Sequence, residues 1–396
     1  MAEGRMSASP DARKKAAPDL PELLRRAAAL APKFRARAAD CETLRRTPDE
    51  TIDDLIETRL HRMCQPARFG GSELDWEAVC EVSLVLGRGD CSQAWVSNIY
   101  AEHAYVIALF ADEAQQEVWG AKIDALVSAS IIPLRNAIER VSGGWKLSGR
   151  WSFASGLHHA DWVVIANFTG DPEDAGEHLN FLIPATDYVI DDDWITMGMS
   201  GTGSATIVLD NAFVPEHRTI ANSDVAAGRA PGTAFNTAPL YRMPFFGFAQ
   251  LALCSVPVGT ALGMVEDFAA NIGSGGSGPG SEIISERLSE AAVETHAATL
   301  LLRDRARLNM ECLTAGEALG ETEAALTMRD GAYAMSLAKR AATRLFDVAG
   351  GRAQYLSAPI QRAFRDIQTS GSHGSLNWPR SALRYARSLV KTPGVD

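Results

Sequence analysis

The chain predicts an α+β fold in three successive regions: a helical N-terminal region, a small central β-barrel or sandwich, and a C-terminal four-helix bundle. Apolar residues recur at helical spacing from Leu20 to about Ala125. The pattern then switches to short alternating segments between Leu126 and about Pro231, and helical spacing returns from Phe245 onward. A helix–strand–helix order without strand–helix alternation argues against a doubly wound nucleotide-binding sheet. The boundaries that follow are 20–125, 126–232 and 233–396.

In the first region, Thr47-Pro48-Asp49-Glu50 has the form of a capping box, with Pro at the first helical position of a helix running to about Arg62. Arg68-Phe69-Gly70-Gly71 predicts a turn, and Trp76–Gly87 a helix. Ala94–Phe110 reads as a buried helix, with Asn98, Glu102 and His103 its main polar residues. Asp112 is expected to cap a helix ending near Trp119. In the second region, Val141-Ser142-Gly143-Gly144-Trp145 is a hairpin signal, because Gly-Gly supplies positive φ angles. Strands are expected at Trp162–Asn167, Leu179–Ile183 and Thr206–Leu209, with a turn at Asp191-Asp192-Asp193-Trp194. The bundle helices are expected at Phe245–Ile272, Ser281–Leu319, Glu321–Ala349 and Ile360 to about Lys391.

A formal net charge of −11 disfavours nucleic acid and anionic membrane surfaces as partners, since both need clustered Lys and Arg. The six cysteines are scattered without a CxxC pair, which fits reduced thiols and predicts a cytoplasmic protein. Met1–Pro18 carries no apolar stretch of signal-peptide type, and no uninterrupted apolar run approaches the ~20 residues of a membrane span. Gly273-Ser274-Gly275-Gly276-Ser277-Gly278 matches GxGxxG but follows a helix and runs into Pro279-Gly280, the context of a flexible loop. His158-His159 and Asp191-Asp192-Asp193 invite a metal reading. Adjacent residues on a strand point to opposite faces, however, so no metal is expected.

Several segments in this order resemble the acyl-CoA dehydrogenase superfamily over about Leu20 to Lys391. They are Gln65–Gly71, Trp151–Gly156, Asp193-Trp194, Gly198–Ser204, Val214–Arg218 and Arg362-Ala363-Phe364-Arg365-Asp366. In the dehydrogenases of that superfamily, the glutamate base lies eight residues after the Arg-Asp pair. Here that count lands on Gly374, and His373 precedes it. A histidine at this place is similar to the branch of two-component flavin-dependent monooxygenases that includes hydroxyphenylacetate and secosteroid hydroxylases.

The resemblance implies the oxygenase component of such a system. It would take reduced FMN (or reduced FAD) from a separate NAD(P)H:flavin reductase, react it with O₂ through a C4a-hydroperoxide, and hydroxylate a small aromatic, phenolic substrate. It implies a homotetramer. An FAD-containing acyl-CoA dehydrogenase, or an N- or S-oxygenase on the same scaffold, remains the alternative. By the same resemblance, Ser128, Ser130, Trp95, Phe153 and Ser155 would line the flavin ring, with Ser155 near flavin N5. His373, His103 and Ser155 would serve catalysis, His103 and His373 would also bind substrate, and Arg242 would contact substrate. The absence of a pyridine-nucleotide motif fits reduction from outside.

Overall fold

A computed structural model describes residues 17–170, 176–273 and 281–390. Helix α1 (Leu20–Leu44) begins where the Asp19 side chain accepts from the Glu22 N–H, and its stripe of Leu23, Ala27, Leu30, Phe34, Ala38 and Cys41 is buried. Helix α2 (Asp49–Thr58) departs from the expected capping box. No side chain caps it, and the Thr47 hydroxyl instead donates to the Gly201 carbonyl at 3.2 Å, tying this corner to the β region. It also ends before Arg62, because Arg59 adopts left-handed backbone (φ 61°) and starts a separate turn over Leu60–Arg62. Asp75 caps α3 (Trp76–Gly87) and Asp90 caps α4 (Cys91–Ala108). Helix α4 is buried on every face but Ile99. Asp112 does not cap α5 (Asp112–Gln115); Ala111 holds the cap position, and Asp112 pairs with Arg68 at 2.5 Å. The helix continues as a π turn over Gln116–Gly120.

The middle region holds β1 (Val127–Leu134), β2 (Ala137–Val141), β3 (Gly144–Ala154), β4 (Trp162–Phe168), β5 (His178–Pro184), β6 (Val189–Asp191), β7 (Ala205–Pro215) and β8 (Thr219–Ala221). They form two four-stranded sheets, ordered β1-β4-β5-β8 and β2-β3-β7-β6, with β1 parallel to β4. Gly143 makes the β2–β3 hairpin turn at φ 79°. Strands β4 and β5 are apolar on both faces for a reason visible in the packing. Val163, Ile165, Phe181 and Ile183 fill the sandwich core, whereas Val164 and Leu182 face the helical core. One sheet is thereby sealed against the helices.

After the short α6 (Asn222–Ala226) come α7 (Gln250–Gly273), α8 (Ser281–Thr314) and α9 (Glu321–Val348). The expected fourth bundle helix is two helices, α10 (Pro359–Ser370) and α11 (Trp378–Leu389). The break occurs because Asn377 caps a new helix, its side chain accepting from the Arg380 N–H, with Pro379 in the first turn. His373 lies in that break. Beyond Gly273, the last residue of α7, the GxGxxG segment lies outside the described residues. By length and mean composition Gln250–Ile272 could cross a membrane, but its apolar character is interrupted by residues such as Ser255 and Thr260, and 72% of its most apolar stretch is buried inside the protein.

Helices α3 and α7 approach so closely that glycine is required on both. A Cβ on Gly87 would stand 2.4 Å from the Val256 carbonyl oxygen, and one on Gly259 2.5 Å from that of Leu84. Gly259→Ala is therefore expected to destabilise the fold by about 1–3 kcal/mol, read as a lowered unfolding midpoint in denaturant. An unchanged midpoint would contradict this packing.

Candidate active site

Three regions converge on the indole of Trp95, in the second turn of α4. Its Nε1 donates to the Ser155 hydroxyl at 3.1 Å, and its ring meets that of His373 edge-on with centroids 5.9 Å apart. Ser155 follows the end of β3, and Gly156 turns the chain at φ 73°. Both are clamped: the Gly156 N–H donates to the Thr202 carbonyl at 2.8 Å, and its own carbonyl accepts from the Tyr100 hydroxyl at 2.7 Å. The Ser155 oxygen also lies 2.8 Å from the Ser204 hydroxyl, which lies 2.6 Å from that of Thr202. His373 is half-buried; its Nδ1 accepts from the Ser375 backbone N–H at 3.3 Å and lies 2.7 Å from the Ser375 hydroxyl. The neutral ring therefore carries its proton on Nε2, a donor, and burial pushes its pKa down.

Phe153 lies where the β3–β7 register shifts, with φ 68° and 68% of its surface exposed. A non-glycine residue held in left-handed backbone at a bulge costs energy and persists only when its surroundings impose it. Its ring stands edge-on to Trp194 at 6.0 Å, presenting an open aromatic surface beside Ser155.

The two β1 serines direct their hydroxyl protons within the protein. The hydroxyl protons of Ser128 and Ser130 go to the carbonyls of Ser155 and Ser152, both at 2.8 Å, lacing β1 to β3. Ser128 is fully buried, its hydroxyl enclosed against the Ser155 carbonyl. Arg242 is exposed, and its guanidinium donates to the Leu313 carbonyl near the end of α8. His103 is buried on α4, and its Nδ1 donates to the Val127 carbonyl at 2.9 Å, leaving Nε2 as an acceptor. Desolvation lowers its pKa to about 4. His158 and His159 sit on a tight turn, not a strand, and face different carboxylates, Asp192 and Asp49. Ligand atoms of Glu113, Glu117 and His217 gather within 4.8 Å, where Arg218 also binds Glu117.

Sequence reasoning noted the Gly198–Ser204 segment but assigned it no role. It connects the site to α10: the Met199 N–H donates to Asp366 at 2.5 Å, and the Met199 carbonyl accepts from Thr202 (2.8 Å) and Trp194 (2.9 Å). Burial pushes Asp366 up to about 8 and Asp90 up to about 6, each favouring its neutral form. Alternating hydroxyls in a glycine-rich loop carry no periodic signal, and only the proximity of the motif to Arg365-Asp366 in space reveals the link.

Models of the acyl-CoA dehydrogenase N-terminal domain and C-terminal domain match residues 20–124 and 251–378. The FADH(2)-dependent resorcinol hydroxylase oxygenase component of Rhizobium sp. is 33% identical over 385 residues, 93% of this chain and 94% of its own. The crystal structure of the 3-HSA hydroxylase from Rhodococcus sp. RHA1 superposes with a TM-score of 0.90 at 32% identity, covering 95% of this chain and 98% of that one. XiaF from Streptomyces sp., in complex with FADH2 and glycerol, superposes at 0.87 with 27% identity over 95% and 97% of the two chains. This chain belongs to the acyl-CoA dehydrogenase family. Within that family its relatives are oxygenase components of flavin-dependent monooxygenases, and it is an enzyme of that kind. The family's dehydrogenase base would fall at Gly374, an exposed position with nothing within 4 Å of where a Cβ would stand.

Because the folded pKa of His103 is lowered, its neutral form is bound in the native state while the unfolded chain takes a proton below about pH 6.5. Its contribution to stability is present above that pH and is lost as pH falls towards 4. The raised carboxyls act in the opposite sense, so the comparison must be differential. Between pH 7 and 5, wild-type protein is expected to lose about 2 kcal/mol more stability than His103→Asn. Parallel pH profiles would contradict a buried neutral imidazole.

Proposed function

We propose that this oxygenase component hydroxylates a small phenolic compound, using O₂ and reduced flavin delivered by a separate NAD(P)H:flavin reductase. The observation that carries the reading is the opposite polarity of two imidazoles. His103 presents Nε2 as an acceptor because its Nδ1 proton is held by Val127. His373 presents Nε2–H as a donor because its Nδ1 is held by Ser375. An acceptor that titrates only near pH 4 binds a phenolic O–H as a hydrogen bond and draws electron density onto the ring. A neutral imidazole donor can stabilise developing negative charge on oxygen.

The site fits a flavin. Phe153 offers an open aromatic face, Ser155 a hydroxyl oxygen at its edge, and Trp95 with His373 an apolar wall. Ser155 would sit against flavin N5. Reduced flavin supplies the two electrons that, with O₂, place one oxygen atom on the substrate and release the other as water. His373 would hold a proton at Nε2 beside the reacting oxygen, while the buried wall excludes water that would uncouple the reaction. Reduced FAD is the first form to test, because the resorcinol hydroxylase is named FADH(2)-dependent and XiaF holds FADH2. A homotetramer built through the bundle is supported by exposed Tyr355 and Leu356 on its surface, and the particle mass in solution checks it. A cytoplasmic location is supported by six unpaired thiols, five of them buried.

With reduced FAD regenerated by an unrelated flavin reductase, a panel of phenols should yield hydroxylated product. His373→Ala should retain its affinity for reduced flavin and lower the product formed per flavin oxidised by about tenfold or more. Undiminished coupling in that variant would remove His373 from the reaction.

A further inference from the structure

The hydrogen bonds around Ser155 can run in only one direction. At one end, the Trp95 indole N–H is a donor alone; at the other, the Met199 carbonyl is an acceptor alone. Between them lie three hydroxyls, Ser155, Ser204 and Thr202, in successive contact at 2.8 and 2.6 Å. Each hydroxyl has one proton, so four donors serve four contacts. Every contact holds a proton only if the Thr202 proton goes to Met199, that of Ser204 to Thr202, and that of Ser155 to Ser204. Any reversal leaves one contact of the chain without a proton, two lone pairs facing each other at 2.6 Å between Ser204 and Thr202 or at 2.8 Å between Thr202 and Met199, among residues that are almost fully buried.

The acceptor end is itself fixed. Met199 stands in left-handed backbone (φ 57°), its N–H bound to Asp366 and its carbonyl bound also by Trp194. The Ser155 proton is thus committed inward, and the atom that faces a ligand is an oxygen with one remaining lone pair.

We infer that the Trp95–Ser155–Ser204–Thr202–Met199 chain makes Ser155 an obligate hydrogen-bond acceptor and thereby selects reduced over oxidised flavin. Reduced flavin carries a proton on N5 and can donate to Ser155. Oxidised flavin has only a lone pair there, and the two acceptors repel. The inference rests on the proposed placement of flavin N5 against Ser155. Thr202 and Ser204 are then positioning residues, acting through the direction in which the Ser155 hydroxyl points.

The test is anaerobic titration of wild type, Thr202→Val, Thr202→Ser and Ser204→Ala with oxidised FAD and with dithionite-reduced FAD, circular dichroism confirming the fold of each. The readout is the ratio of the two dissociation constants, which also fixes the potential of the bound flavin. Wild type should favour reduced FAD. Thr202→Val removes the outlet, frees the chain to reverse, and should bring the ratio towards unity by about tenfold. Ser204→Ala should do the same, and Thr202→Ser should keep the wild-type ratio. Ratios unchanged in both Thr202→Val and Ser204→Ala, or a wild type that binds both forms alike, would overturn the inference and leave the flavoprotein reading standing. A wild type that binds neither form would overturn both.

Discussion

The indole of Trp95 is the contact on which the site depends, because all three parts of the chain meet there. Its N–H reaches the end of β3, its ring supports the loop between α10 and α11, and its backbone belongs to the most buried helix of the molecule. The Trp95–Ser155 and Met199–Asp366 contacts tie the β region to α4 and to α10, and losing a buried polar contact of this kind costs about 1–3 kcal/mol. The geometry closes into a circuit. From Trp95 the hydroxyl chain runs through Ser155, Ser204 and Thr202 to Met199, then by Asp366 into α10, and along α10 back to His373.

Electrostatics reinforce that circuit. Asp366 is fully enclosed and mostly neutral near pH 7, yet it still accepts the Met199 N–H. Neighbouring Arg365 and Arg362 pair with Glu42 of α1. Those guanidiniums outweigh the desolvation of Glu42 and hold its carboxyl below the usual range. The Arg-Asp pair therefore divides its labour: the arginines fasten the bundle to the N-terminal helix, and the aspartate fastens it to the β region. Burial likewise favours the neutral form of His103, lowered to about 4, and pushes the pKa of His373 down, so the site presents directed single protons instead of fixed charges.

Much of this was legible in the amino-acid sequence. Helical periodicity located α3 to the residue, and the Gly143-Gly144 hairpin and the apolar runs of β4 and β5 appeared where alternation and turn chemistry placed them. The resemblance pointed to Trp95, Ser155 and His373, which the fold does bring together. What stayed hidden was the destination of hydrogen bonds. Thr47 fits a capping box by spacing, yet its hydroxyl finds Gly201 across the domain junction. Ser128 looks like a donor for a ligand but is bound to the backbone of Ser155. Arg242 lies in a promising segment but serves the end of α8. The break around His373 had a local signal, Asn377 followed by Pro379, that the longer apolar period overrode.

In the function proposed here, Trp95, Ser155 and His373, drawn from three chain regions, enclose a water-excluded site where reduced flavin meets O₂. Rapid mixing of the anaerobic protein–reduced FAD complex with oxygenated buffer, followed in the near ultraviolet and visible, tests it most directly. Near-ultraviolet absorbance should rise and persist before the spectrum of oxidised flavin grows in. Oxidised flavin appearing at once, at the rate of free reduced FAD, would contradict it.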